Sequence, residues 1–171
     1  VIELKTALQK QPDSGEARYL LGQALLVSED PLGAAVELRK ALELKHPRDA
    51  VVPLLARAML EQGKAKELLG EFGSESLSSK EATASLKTSL GHAHVQGGAA
   101  AEAMTSFKQA LDASPGYVPA QTAIARLLAT TGDREGALKA SADIIAAGKP
   151  DAEAWVLQGD LLAFGKGDKD G

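Results

Sequence analysis

Five stretches of this chain align at an almost constant spacing: EARYLLGQALL, VVPLLARAMLEQG, SLKTSLGHAHVQGG, AQTAIARLLATTGD and EAWVLQGDLLAFG. Each carries a small residue at mid-stretch, Gly22, Ala56, Gly91, Ala125 and Gly159, at intervals of 34, 35, 34 and 34 residues. Twelve residues after each of the first four comes a second slot, Ala34, Leu68, Ala103 and Ala137, in which Leu68 is the one large residue. Prolines keep the same beat at Pro12, Pro47, Pro115 and Pro150, with one missing near residue 81. Such a period constrains a chain strongly. Each unit is one supersecondary structure that cannot bury its apolar face alone, so the units must stack.

The slots make physical sense as helix crossings. A small residue in a first helix lets the second helix of the same unit cross closely, because ridges fill grooves only where no bulk intervenes. Ala41 and Ala110 leave room for the next unit on the far side of the second helix. Proline follows because it can begin a helix but not continue one. The turns SED-P, QGK, QGG and TGD separate the two helices, with glycine as the C-cap. No segment alternates with period two, so no strand is expected.

This pattern resembles the tetratricopeptide repeat, a helix–turn–helix unit. The resemblance implies an all-α fold, a right-handed superhelix (α-solenoid) of antiparallel helix pairs. Helix pairs are expected at roughly 15–45, 49–72, 80–113 and 117–147, after a helix end at about 1–10 and before a first helix at about 151–164. The repeats would run over about 15–48, 49–83, 84–117 and 118–151, with a partial one at 152–171 and residues 1–14 closing a preceding repeat. This is one array over 1–171, read as a fragment of a longer protein because its ends look cut from helices. The second repeat is irregular. After KELLGEF comes GSESLSSKE, read as a longer loop or frayed helix end, with a hinge or binding loop as the alternative. Within it, Ser78 or Ser79 and a nearby Glu suggest a capping box opening the next helix.

Composition excludes several functions. Aromatics are only 4% of 171 residues, so the core is packed from small and aliphatic side chains. The net charge of −4 has no basic run, so no nucleic-acid partner is expected. With no cysteine there is neither disulfide nor thiolate metal site. No apolar stretch approaches the roughly 20 residues needed to span a bilayer. No G-x-S-x-G elbow, phosphate loop or H-E-x-x-H is present, so no enzyme, cofactor or metal site is expected. GKGDKDG at the C-terminus lacks the EF-hand spacing.

VIELKTALQKQPDSGEARYLLGQALL and ELRKALELKHPRDAVVPLLARAMLEQGKAKELL, with the later QTAIARLLATTGDREGAL and DAEAWVLQGDLL, resemble the repeat lipoprotein of the PEP-CTERM/exosortase system (PrsT-type). That resemblance implies a bacterial envelope location on the periplasmic side, a lipid-anchored parent, and a scaffold role at exopolysaccharide and protein-sorting loci. A cytoplasmic adaptor is the alternative.

In a stacked array the first helices line the inner groove. If the mid-helix small residue faces the second helix, the next residue faces the groove: Gln23, Arg57, His92, Arg126 and Asp160. One turn earlier stand Tyr19, Pro53, Thr88, Thr122 and Val156; one turn later stand Val27, Glu61, Gln96, Thr130 and Phe164. The partner-binding candidates are Tyr19, Gln23, Arg57, Glu61, His92, Gln96, Arg126, Thr130 and Asp160. Such a polar stripe suits a protein or peptide segment, and arginine can hold a carboxylate bidentately. Solvated or internally ion-paired arginines are the plainer reading of Arg57 and Arg126. The stripe lacks the Lys/Asn carboxylate clamp of chaperone-binding repeats. Carbohydrate association and a self-stacking structural spacer are further alternatives.

His92 and His94 look like half a metal site, but they are about 200° apart around one helix and face opposite ways. His94 is expected in the packed helix pair. Trp155, Tyr117 and Phe107 are expected as packing residues.

Overall fold

This computed structural model describes residues 1–148 and 152–163, and among them every regular element is an α-helix. Helix α1 (Ile2–Lys10) precedes four pairs: α2 (Gly15–Val27) with α3 (Pro31–Glu43), α4 (Arg48–Glu61) with α5 (Ala65–Phe72), α6 (Lys80–Gln96) with α7 (Ala100–Ala113), and α8 (Val118–Thr130) with α9 (Arg134–Ala146). Helix α10 (Ala152–Ala163) follows. Each first helix also rests on the pair before it: α4 on α3, α6 on α4 and α5, α8 on α6 and α7, α10 on α8 and α9. Neighbour-only stacking of this kind is an α-solenoid.

The periodic slots of the four helix pairs are the crossing points, whereas the fifth mid-helix slot, Gly159 on α10, is exposed and a Cβ there would meet no described atom within 4 Å. Gly22, Ala56, Gly91 and Ala125 are buried, and so are Ala34, Leu68, Ala103 and Ala137. Leu38 and Phe107 of the second helices stand opposite Gly22 and Gly91, and the positions equivalent to them in the other pairs, Phe72 and Ser141, are buried as well. A Cβ on Gly22 would stand 2.6 Å from Leu38 Cγ. At the two glycine crossings a large residue of the second helix, Leu38 or Phe107, fills the space that the first helix leaves. The largest cluster runs from Leu8 through α2–α5 to Ala93, and smaller ones gather around Phe107 and around Ala84, Ala110 and Ala120. Half-buried Tyr117 packs on the last of these, as expected.

Turn chemistry fixes where each pair folds back. Glu29, Gly63, Gly98 and Gly132 recur at the repeat period with φ of 57°, 72°, 75° and 93°. In each case the following amide donates back across the turn at 2.9 Å, Asp30 to Leu25, Lys64 to Met59, Ala99 to His94 and Asp133 to Leu128. This is the Schellman cap, which satisfies carbonyls that the helix leaves open. Side chains of Ser14, Asp30, Ser79 and Asp133 cap the starts of α2, α3, α6 and α9.

The second repeat departs from the rest. Helix α5 stops at Phe72, and the next helix starts at Lys80. The segment between is tied down: the Asp49 carboxylate accepts from the amides of Ser78 at 2.9 Å and Ser79 at 2.8 Å, and Arg48 pairs with Glu75 at 2.9 Å. The expected capping residue is Ser79, whose hydroxyl accepts from the Ala82 amide at 3.2 Å.

Two packing expectations are corrected. Trp155 is 55% exposed, because the described residues place only α8 and α9 against α10. His94 is half-buried in an open recess of about 460 Å³ with Gly73, Glu102 and Thr105, since α5 ends too early to cover it. Phe164, Pro150 and the GKGDKDG tail lie outside the described residues.

Candidate functional site

The first helices α2, α4, α6, α8 and α10 carry the candidate stripe. Gln23, Arg57, His92, Arg126 and Asp160, each one residue past its small slot, are all exposed. One turn later Glu61, Gln96 and Thr130 are exposed as well, and Val27 is 80% exposed. One turn earlier the stripe sinks. Thr88 is 6% and Thr122 1% exposed, so neither lines a groove, and Tyr19 is half-buried against His46 with ring centroids 4.8 Å apart. The cause is helical drift. Four residues turn the helix through 400°, so the two ends of a three-residue stripe differ by about 80°. In α6 and α8 the early end rolls into the core and the late end into solvent, whereas on α10 Val156 is 61% exposed.

Arg57 Nε donates to Glu61 Oε1 at 2.7 Å, an ion pair within α4. Both side chains are solvent-accessible. Exposed i,i+4 pairs contribute only about 0.3–0.5 kcal/mol, so the pair does not withhold either group from a partner.

Between repeats three and four the stripe gathers into a pocket. His92 and Val95 of α6 face Ala123, Arg126, Leu127 and Thr130 of α8 across a space of about 90 Å³, with Phe107 of α7 beneath. The His92 ring meets Phe107 edge-on at 5.2 Å. Phe107 can reach this face only because Gly91 has no side chain: a Cβ there would stand 2.3 Å from Phe107 Cε1. The structure thus brings His92, Arg126 and Thr130 together. Tyr19, Gln23, Arg57, Glu61, Gln96 and Asp160 lie along the same helices outside this pocket. Its apolar wall went unseen in the sequence, although a glycine one period from the alanine at 125 was a hint that something large crosses there.

His92 and His94 line different recesses. Among the described residues no group of three His, Asp or Glu side chains is placed to hold a metal ion. No described helix is long and apolar enough to cross a membrane. A two-bond ion pair lies away from the stripe, between α3 and α5. Arg39 holds Glu71 with two bonds of 2.7 and 2.8 Å, which keeps the Glu71 carboxyl below its ordinary range and raises the Arg39 guanidinium.

Two family models, both described as tetratricopeptide repeat, match residues 3–50 and 94–161, together more than half of the chain. No curated protein matches it. Among solved structures, the APC/C hetero-tetramer Cut9-Hcn1 superposes with a TM-score of 0.74 at 18% identity over 93% of this chain, which spans 32% of that one. PilF of Pseudomonas aeruginosa gives 0.68 at 21% identity, with 96% and 75% of the two chains covered. YrrB, described as a TPR protein with an unusual peptide-binding site, gives 0.59 at 20% identity, with 95% and 79% covered. At such identities the likeness is one of fold.

Proposed function

We propose that this chain, which belongs to the tetratricopeptide-repeat family, is a protein-interaction scaffold that holds an extended segment of a partner protein along the face built by its first helices. The observation that carries this reading is the exposed polar stripe Gln23, Arg57, His92, Arg126 and Asp160, one residue from each successive first helix. A buried packing role would not leave all five accessible. The unusual peptide-binding site for which YrrB is described is a precedent on a similar fold. On this reading the chain works by binding rather than catalysis.

The resemblance to the PEP-CTERM/exosortase lipoprotein supports a finer proposal, that the parent protein acts at the bacterial cell envelope in exopolysaccharide assembly or protein sorting. Cell fractionation with an antibody against this chain tests it. Recovery with the envelope is expected, and recovery in the cytosol alone would overturn it.

The binding reading is tested by panning a phage-displayed library of random 12-residue peptides against the chain. Recovered peptides should lose about tenfold or more in affinity for an Arg57→Ala/Arg126→Ala variant, since a hydrogen bond to a charged group contributes roughly 1.5–3 kcal/mol. Equal binding by both proteins would remove the arginines from the site.

A further inference from the structure

Arg39 bridges α3 to α5. Its guanidinium bonds both carboxylate oxygens of Glu71, lies 3.7 Å from the Met59 sulfur and feels the nearby charge of Glu67. The repeat carries each of these residues to a counterpart one unit further on. Leu38 corresponds to Phe72 and Phe72 to Phe107, so Arg39 falls on Gly73, Met59 on His94, Glu67 on Glu102 and Glu71 on Ser106. All four counterparts line one open recess. There the cation is missing. Gly73 has no side chain, and α5 stops just before it. The groups around the vacant position are still in place. Met59 is 1% exposed beneath Arg39, whereas His94 is only half-buried. Glu102 is exposed and has no cation partner among the described residues.

We propose that this recess is a seat for an arginine side chain of a partner protein, in the position that Arg39 fills one repeat earlier. Glu102 supplies the charge, and the exposed Thr105 and Gln109 side chains supply further acceptors. The His94 ring, in place of the Met59 sulfur, offers the flat kind of surface on which a guanidinium stacks. That combination selects arginine over lysine, because a planar fork with five donors can use a carboxylate, an amide oxygen and a ring together, whereas an ammonium is a point charge. The sequence departs from its own repeat at one residue here, with glycine in the arginine position and a carboxylate retained opposite it. The seat shares no residue with the stripe on the first helices, so it stands or falls apart from the groove reading.

The probe is Nα-acetyl-arginine N-methylamide, titrated into the intact isotope-labelled chain, with the citrulline analogue as the control that keeps the shape and loses the charge. Saturable chemical-shift changes are expected at His94, Glu102, Thr105 and Gln109 with the arginine compound and not with citrulline. Glu102→Gln should weaken binding by about threefold or more, as loss of a partly exposed ion pair does. Arg39→Ala empties the first seat, so that variant should gain a second set of shifts at Met59, Glu67 and Glu71 while its circular dichroism stays helical. The two probe titrations need no altered protein, so they decide the matter even if a variant misfolds. Equal shifts with citrulline, or an arginine response that spares these four residues, would overturn the proposal. A folded Glu102→Gln chain that binds the probe as well as the native chain would overturn it too.

Discussion

Phe107 of α7 passes so close beneath Gly91 of α6 that a methyl group on Gly91 would stand 2.3 Å from its Cε1 atom. Gly91→Ala should therefore destabilise the chain by about 1–3 kcal/mol through overpacking, even though alanine is the better helix former by roughly 1 kcal/mol. Urea unfolding measures it. Adding Phe107→Leu should restore part of the loss, with a coupling of at least about 0.5 kcal/mol in the double-mutant cycle. Strict additivity would mean that the two residues do not meet.

Glu29 takes, at φ 57°, the turn position that glycine fills in the next three repeats. The left-handed conformation costs a residue with a side chain about 1–2 kcal/mol. Glycine gives back roughly 0.5–1 kcal/mol through its freer unfolded chain. Glu29→Gly should accordingly raise the melting temperature by about 1–4 °C. The reverse change at Gly132, φ 93°, should lower it.

The Asp49 carboxylate holds the Ser78–Ser79 end of the 73–79 segment to the start of α4, beside the Arg48–Glu75 pair. Asp49→Ala removes the acceptor of two amide bonds, and a cost of about 1–2 kcal/mol is expected for such partly exposed, charge-assisted bonds. Hydrogen exchange should show the Ser78 and Ser79 amides losing protection first. Unchanged protection there would show that the segment is held by something else.

Glu71 titrates below its usual value of 4.5 because Arg39 binds it. A carboxylate with a depressed folded-state value contributes stability that is fully present above the unfolded value and is lost as pH falls through the folded one. Chain stability should therefore be less acid-dependent below pH 4.5 in Glu71→Gln than in the native chain. The effect is small, about 0.2–1 kcal/mol, because both side chains are more than a third exposed. Parallel pH–stability curves for the two proteins would contradict it.

The crossings were legible in the sequence because a small residue every 34 or 35 positions has only one use in a stacked array. The early end of the stripe was misread, at Thr88 and Thr122, because four-residue spacing was treated as one line when each step turns it by about 40°. The Arg57–Glu61 pair could have been read from its i,i+4 spacing. The Arg39–Glu71 pair could not: its partners are 32 residues apart, and their meeting depends on how α3 and α5 are both set against α4. His94 was expected in the core because the period sets the face of its own helix. It says nothing of α5 ending before it covers that face. The pocket floor was hidden for a similar reason. Phe107 was recognised as core, but only the crossing geometry reveals that it reaches the opposite face through Gly91.

The central claim is that the first helices form the binding face. Chemical-shift mapping of the isotope-labelled chain, titrated with a library-selected peptide, tests it most directly. The account predicts saturable shifts at Gln23, Arg57, His92, Gln96 and Thr130 and at the Val95 and Leu127 methyl groups. Shifts confined to the second helices α3, α5, α7 and α9 would contradict it.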